Sequence, residues 1–181
     1  MQLEFSHDNT FLLSVSRDRH FSIFAIKQAD EVSHELIARQ EAHKRIIWAC
    51  SWNPFGHEFA SGSRDKTVKI WKLKNGSSVK LLSTLATFKS SITALSCLRV
   101  ESQKNHEILD VRMENGLIEL WTLSTEAQND VLAVRFDPFM CHVSVVYRLR
   151  WQNTNKEEDS TSVELASGRA DHCVRIVKVC V

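Results

Sequence analysis

No strong charge of either sign marks this chain. Its 23 Lys and Arg stand against 22 Asp and Glu, a formal net charge of +1 over 181 residues. That argues against a dedicated nucleic-acid binder, though not against a local basic patch. No stretch approaches the roughly 20 apolar residues that span a bilayer. The opening residues, MQLEFSHDNT, have no apolar run behind a basic start and do not read as a signal peptide. The five cysteines, Cys50, Cys97, Cys141, Cys173 and Cys180, form no C-x-x-C pair, so zinc-knuckle and redox spacings are absent. They read as reduced thiols of a cytosolic or nuclear protein. Cys50, Cys97 and Cys173 fall in predicted strands, where cysteine behaves as a small hydrophobe. The sequence holds no phosphate-binding glycine loop, no H-E-x-x-H and no cysteine cluster for an iron–sulfur centre. These absences disfavour an enzyme, and no cofactor, metal or small-molecule substrate is expected.

What the chain does have is a repeat. Apolar residues make up 43% of it, enough for a packed core. The stretch FASGSRDKTVKIW, residues 59–71, reads as a buried strand, a charged turn at Arg64-Asp65-Lys66, and a second strand that alternates through Val68, Lys69 and Ile70 to Trp71. Asp65 suits the turn because its carboxylate accepts hydrogen bonds from nearby donors. Asp18, Asn115 and Asp171 take the place of Asp65 elsewhere. Six residues after these turn positions stand Phe24, Trp71, Trp121 and Val177, and four residues before them stand Ser14, Ser61, Val111 and Ser167. Asp18 to Asp65 is 47 residues, Asp65 to Asn115 is 50, and Asn115 to Asp171 is 56. Short strands repeating at that interval, with an aromatic residue at a fixed offset, mark propeller blades.

The segments SRDKTVKIW, SRDRHFSIF, MENGLIELW and RADHCVRIV resemble the WD-repeat family with decreasing fidelity. The fold this implies is an all-β propeller with about four blades, at approximately 1–40, 41–88, 89–136 and 137–181. The first blade is expected to be truncated and the last to lack its outer strand. The chain would then be the C-terminal part of a larger ring. Predicted strands are 2–6, 11–16, 20–26 and 35–39 in the first blade, and 46–52, 58–63, 67–73 and 81–88 in the second. In the third they are 92–98, 107–112, 117–123 and 131–136. In the last they are 143–151, 163–167 and 173–179, with a polar insertion at 152–162. The pairs Asn75-Gly76 and Asn115-Gly116 signal hairpins.

The resemblance also implies a structural tetrad of His43, Ser61, Asp65 and Trp71, hydrogen-bonded in a chain. The same residue types could form a catalytic triad, but at these repeat positions the family uses them structurally. This chain departs from the pattern with Ala42-His43 in place of Gly-His, and with Trp71-Lys72 and Trp121-Thr122 in place of Trp-Asp. Only the second blade has all four residues, so the others should depend more on packing.

Two distant segments narrow the resemblance further. HKRIIWACSW, and the run from CHVSVVYRLRW to LASGRADHCVRIVKV, look like the WD-repeat subunits of Elongator complexes. That implies a non-catalytic scaffold supporting tRNA wobble-uridine modification, in the cytoplasm and also the nucleus. Its partners would be the large scaffold subunit and the catalytic subunit, with tRNA as a further contact. The alternative is a generic WD-repeat adaptor that docks a peptide or substrate for another complex. In such a propeller, one face would gather a basic arc of Arg17, Arg19, Lys44, Arg45, Arg64, Lys66 and Arg169. This arc reads either as a solvated rim or as a docking surface for an acidic protein segment or the tRNA backbone.

Overall fold

The computed structural model describes residues 2–28, 32–54, 56–86, 88–99, 106–124, 131–136, 146–151, 162–169 and 174–180. Every regular element among them is a strand, and the strands form four antiparallel sheets in chain order. The first sheet joins β1 (Gln2–Phe5), β2 (Phe11–Val15), β3 (His20–Gln28) and β4 (Val32–Glu41). The second joins β5 (Ile47–Trp52), β6 (Glu58–Ser63), β7 (Val68–Lys74) and β8 (Ser78–Leu85). The third joins β9 (Ile92–Arg99), β10 (His106–Met113), β11 (Ile118–Ser124) and β12 (Val131–Arg135). The last holds β13 (Val146–Trp151), β14 (Ser162–Arg169) and β15 (Val174–Cys180). The first strands of successive sheets, β1, β5, β9 and β13, are neighbours in space. This is the arrangement of propeller blades about an axis, without a closed ring.

The hydrophobic core lies between the sheets. Leu13, Val15, Phe21 and Ile23 of the first sheet meet Trp52, Phe59 and Trp71 of the second. Phe21 sets its edge against both Phe59 and Trp71, with ring centroids 5.2 and 5.1 Å apart. Ala49, Ala60 and Ile70 then meet Ile92, Leu95, Leu109 and Val111 of the third sheet. Gly62 allows this second contact to be close, because a Cβ there would lie 2.5 Å from Cγ2 of Ile92. Ala94, Leu165 and the partly buried Trp151 form the third contact. Polar groups also cross between sheets. The Gln2 amide donates to the Cys50 carbonyl at 2.9 Å and accepts the Cys50 N–H at 3.2 Å, and Trp52 Nε1 donates to the Glu4 carbonyl at 3.1 Å.

Most predicted strands lie within a residue or two of their observed positions. The outer strand of the second sheet differs. It begins at Ser78 rather than Leu81, and ends before Phe88. The reason is the turn. Asn75 and Gly76 have φ of 50° and 66°, so the chain reverses tightly and Lys74 pairs with Ser78 at once. Phe88 instead packs against Trp121, with ring centroids 5.6 Å apart. Val131–Arg135 pairs with β11 at the outer edge, as expected for the fourth strand of that blade. Cys50 and Cys97 lie in β5 and β9, Cys50 buried and Cys97 partly so. Burial, with Glu4 and Glu107 nearby, pushes the Cys97 thiol far above its usual range, leaving it unreactive. Cys141, Cys173, Asp171 and most of the 152–162 insertion lie outside the described residues.

Candidate functional site: an arginine-lined cleft held by a buried polar chain

The site begins with a turn used repeatedly. Asp8, Asp18, Asp65 and Asn115 each accept the backbone N–H two residues on, at 3.0–3.3 Å. The intervening residues, Asn9, Arg19, Lys66 and Gly116, all have positive φ. Asn and Gly adopt this conformation readily, whereas Arg19 at 74° and Lys66 at 67° need it imposed. The aspartate brace imposes it at both.

In the second sheet the brace extends inward. Trp71 Nε1 donates to Ser61 Oγ at 2.9 Å, and Ser61 Oγ lies 2.8 Å from His43 Nε2. His43 Nδ1 lies 3.1 Å from Asp65 Oδ2, and Thr67 Oγ1 donates to Asp65 Oδ1 at 2.6 Å. The carboxylate only accepts, so Nδ1 carries the imidazole proton. Nε2 of the neutral ring then accepts from the Ser61 hydroxyl, which itself receives the Trp71 N–H. Burial holds the His43 pKa below its ordinary value, against the opposing pull of Asp65. Burial acts to raise the Asp65 pKa, but the Thr67 hydroxyl, His43 and the Lys44 N–H together bring it below its ordinary value. Ser61 and His43 are buried, and the Ser61 oxygen is engaged on both sides. No substrate reaches such a hydroxyl, so the geometry is that of a brace and not of a nucleophile.

The same chain fixes the surface above it. The Lys44 N–H donates to Asp65 Oδ2 at 3.0 Å, and the Arg64 N–H donates to the Ile46 carbonyl at 2.9 Å. The Ala42 N–H donates to the Arg19 carbonyl at 2.9 Å, tying the first sheet's turn to the second sheet's entry loop. Arg17, Arg19, Arg45 and Arg64 thereby line one open cleft of about 350 Å³ with Ile46. Lys44 and Lys66 are exposed on the same loops but do not line it. Arg169 ends β14 opposite Val146, and its side chain lies outside the described residues.

Acidic neighbours are largely committed elsewhere. Asp65 faces inward, while Asp18 pairs with Arg39 at 3.1 Å and accepts the His20 N–H. That backbone bond is the main reason the Asp18 carboxyl sits below its ordinary pKa. Glu41 lies 3.2 Å from Arg19. Arg64 lies over the Trp48 ring, 5.8 Å from its centroid. Among the described residues, Arg17, Arg45 and Arg64 form no ion pair.

Several contributors were not legible as such in the sequence. Thr67, two residues after the turn aspartate, could have been read as an Asx-turn partner. Trp48 and Ile46 carried no sequence signal for the cleft. In the third sheet, Glu119 replaces the missing hydroxyl. Its Oε2 accepts the Trp121 N–H at 3.2 Å, and its Oε1 meets Arg135 at 2.8 Å. Glu119 and Trp121, two apart on one strand, share a face, and that spacing was the available clue.

Comparison with known proteins is consistent with this architecture. The family described as "WD domain, G-beta repeat" matches residues 34–72. The chain is 52% identical to Elongator complex protein 2 of Arabidopsis thaliana, over 96% of this chain and 22% of that protein. It is 32% identical to the Dictyostelium discoideum protein of the same name, over 99% of this chain and 21% of that protein. It is 29% identical to that of Saccharomyces cerevisiae, over 97% of this chain and 22% of that protein. The chain spans about a fifth of the length of these curated relatives. It is similar to the WD-repeat family over residues 34–72 and, over nearly its whole length, to a part of Elongator complex protein 2.

Proposed function

We propose that this chain is the C-terminal part of a WD-repeat propeller in a non-catalytic Elongator subunit. It would support tRNA wobble-uridine modification through contacts with the large scaffold subunit and the catalytic subunit. The observation that carries this reading is the 52% identity over 96% of the chain to Elongator complex protein 2 of Arabidopsis thaliana. The burial of Ser61 and His43, with Asp65 holding the histidine from the turn, agrees with a scaffold. The exposed basic residues at 17, 19, 44, 45, 64 and 66 supply a docking surface for an acidic segment of a partner protein. Protein is preferred to tRNA because Arg64 lies over the Trp48 ring that could otherwise stack on a base.

The test reverses Arg17, Arg19, Arg64 and Lys66 to glutamate in the full-length subunit. Assembly with the other Elongator subunits and tRNA affinity are measured separately. Assembly should weaken while the fold is retained. A loss confined to tRNA affinity, steeply salt-dependent in the unmodified protein, would identify the backbone of tRNA as the ligand instead. If neither changes, the arc is a solvated rim.

A further inference from the structure

The chain contains two Asn-Gly pairs, Asn75-Gly76 and Asn115-Gly116, and the fold treats them differently. Both lie in hairpin turns, the first between β7 and β8 and the second between β10 and β11. The Asn115 carboxamide is committed, its oxygen accepting the Leu117 N–H at 3.3 Å. The Gly116 N–H is committed too, donating to the Met113 carbonyl at 2.9 Å, and Gly116 is buried. At the first turn both groups are free. Asn75 is exposed, and among the described residues neither its side chain nor the Gly76 N–H has a hydrogen-bond partner. A Cβ added to Gly76 would meet nothing within 4 Å, so solvent reaches the Gly76 nitrogen. The turn is held by the Ser77 N–H and the Ser78 hydroxyl, which donate to the Lys74 carbonyl at 3.2 and 3.3 Å. The neighbouring charges differ as well. Lys74 precedes Asn75, and Lys80 stands across from Lys72 on the same hairpin, whereas Glu114 precedes Asn115.

We propose that Asn75 is a site of covalent self-modification, its side-chain amide converting to aspartate or isoaspartate. The Gly76 nitrogen, deprotonated by hydroxide, attacks Cγ of Asn75. The new N–Cγ bond closes a cyclic imide, and the Cγ–Nδ2 bond breaks, releasing ammonia once water supplies the proton. A second water then opens the imide. Cleavage of the N–Cγ bond leaves ordinary aspartate. Cleavage between the nitrogen and the main-chain carbonyl carbon leaves isoaspartate, whose chain runs through Cβ and Cγ and whose α-carboxylate is free. The net change consumes one water and releases one ammonia, with nothing oxidised or reduced. Glycine suits the step because a side chain on residue 76 would crowd the attacking nitrogen. The lysines favour both the anionic nitrogen and the new carboxylate, and Glu114 opposes them at the second pair. The product acts on packing. Isoaspartate lengthens the main chain by one carbon between residues whose φ values are 50° and 66°, the reversal on which the Lys74–Ser78 pairing depends. β8 carries Val79 to one core and Leu82 to the other, so the modification loosens the outer edge of the second sheet. This inference is independent of the docking surface.

The experiment incubates the full-length subunit in heavy-oxygen water at mildly alkaline pH. Carboxylates formed then carry the label, and those formed during later digestion in ordinary water do not. Trypsin separates the two pairs, since Lys74 and Lys80 bound one peptide and Arg112 and Arg135 the other. Fragmentation in the mass spectrometer locates the label and distinguishes aspartate from isoaspartate. Label should accumulate at residue 75 on the order of tenfold faster than at 115, the worth of the hydrogen bonds that hold the second pair. In guanidinium chloride, which unfolds the chain and screens its charges, the two rates should converge. Asn75→Gln, which would have to close a larger ring, should show no label at 75. Lys74→Gln should slow labelling there, with circular dichroism confirming that the fold is kept. Hydrogen exchange across Ser78–Leu85 should quicken in the isoaspartate fraction, and unchanged exchange would overturn the consequence for packing. Equal rates at 75 and 115 in the folded subunit would overturn the proposal. So would a rate ratio that persists on unfolding, since it would belong to the local sequence and not to the turn. Absence of label at 75 in the folded subunit, with labelling after unfolding, would overturn it by showing that the turn blocks ring closure.

Discussion

At the scale of single residues, the His43–Asp65 contact joins the interior of the second sheet to its charged surface. It also makes stability depend on pH. Burial keeps the folded His43 pKa below its ordinary 6.5. As pH falls, the unfolded chain therefore takes up the proton first. The stabilisation from a neutral His43 is present above pH 6.5 and declines as pH drops below it toward the folded value. Asp65 acts in the same direction in a lower window, because its folded pKa lies below 3.8. Urea denaturation of the full-length subunit should show stability falling between pH 7.5 and 5.5. His43→Gln should be less stable at pH 7.5 but show a flatter pH dependence over that range. Parallel profiles would show that His43 does not titrate on unfolding. Asp65→Ala removes the acceptor shared by His43, Thr67 and the Lys44 N–H, and should cost about 1–3 kcal/mol at neutral pH, read from the same denaturation curves.

At the scale of the element, the second and third sheets solve one packing problem with different residues. Each buries a tryptophan whose N–H needs an acceptor. The second sheet supplies Ser61 from the neighbouring strand, and the third supplies Glu119 from the same strand. Glu119 is itself buried and neutralised by Arg135, whose side chain is half exposed. Glu119→Ala should thus cost about 1–3 kcal/mol, because it leaves a buried donor without its acceptor. Arg135→Ala should cost less, and so should Asn115→Ala, whose oxygen accepts one exposed N–H at 3.3 Å. Thermal melts of the full-length variants check the order; an Asn115 loss equal to that of Asp65 would contradict it. Beside this network, Asp110 and Arg112 are wholly buried on one face of β10, 4.0 Å apart. Burial pushes the Asp110 carboxyl up to about 7 although Arg112 opposes the shift. The third sheet is therefore more polar inside than packing alone would make it.

At the scale of the whole molecule, the ends of the arc are its weak points. Leu3 and Phe5 on β1 are 66% and 53% exposed, and Val174 and Ile176 on β15 are 71% and 65% exposed. Among the described residues, β15 also pairs on one side only. Apolar side chains beside an unpaired strand edge favour association between chains. Residues 1–181 produced alone should therefore form concentration-dependent oligomers, bind a hydrophobic dye and melt broadly. Light scattering and calorimetry check this. A monodisperse monomer with one sharp transition would contradict it.

Sequence by itself determined the strands, the turns and the repeat. These depend on local alternation, on Asx residues at turns and on a fixed aromatic offset, all of which act over a few residues. Where the local signal was incomplete, the reading slipped, as at Ser78, whose start is set by the Asn75-Gly76 reversal rather than by hydrophobicity. Basic residues at 17, 19, 45 and 64 were also visible in the sequence. That these four line one cleft while Lys44 and Lys66 stand outside it was decided only by the tertiary structure. The outcome depends on how neighbouring sheets pack, on the absence of a side chain at Gly62, and on the backbone bonds that tie Arg19 to Ala42 and Arg64 to Ile46. Glu119 belongs with these. Its charge suggested solvent, and only the packed sheet, by burying Trp121 and bringing up Arg135, made the interior its lower-energy place.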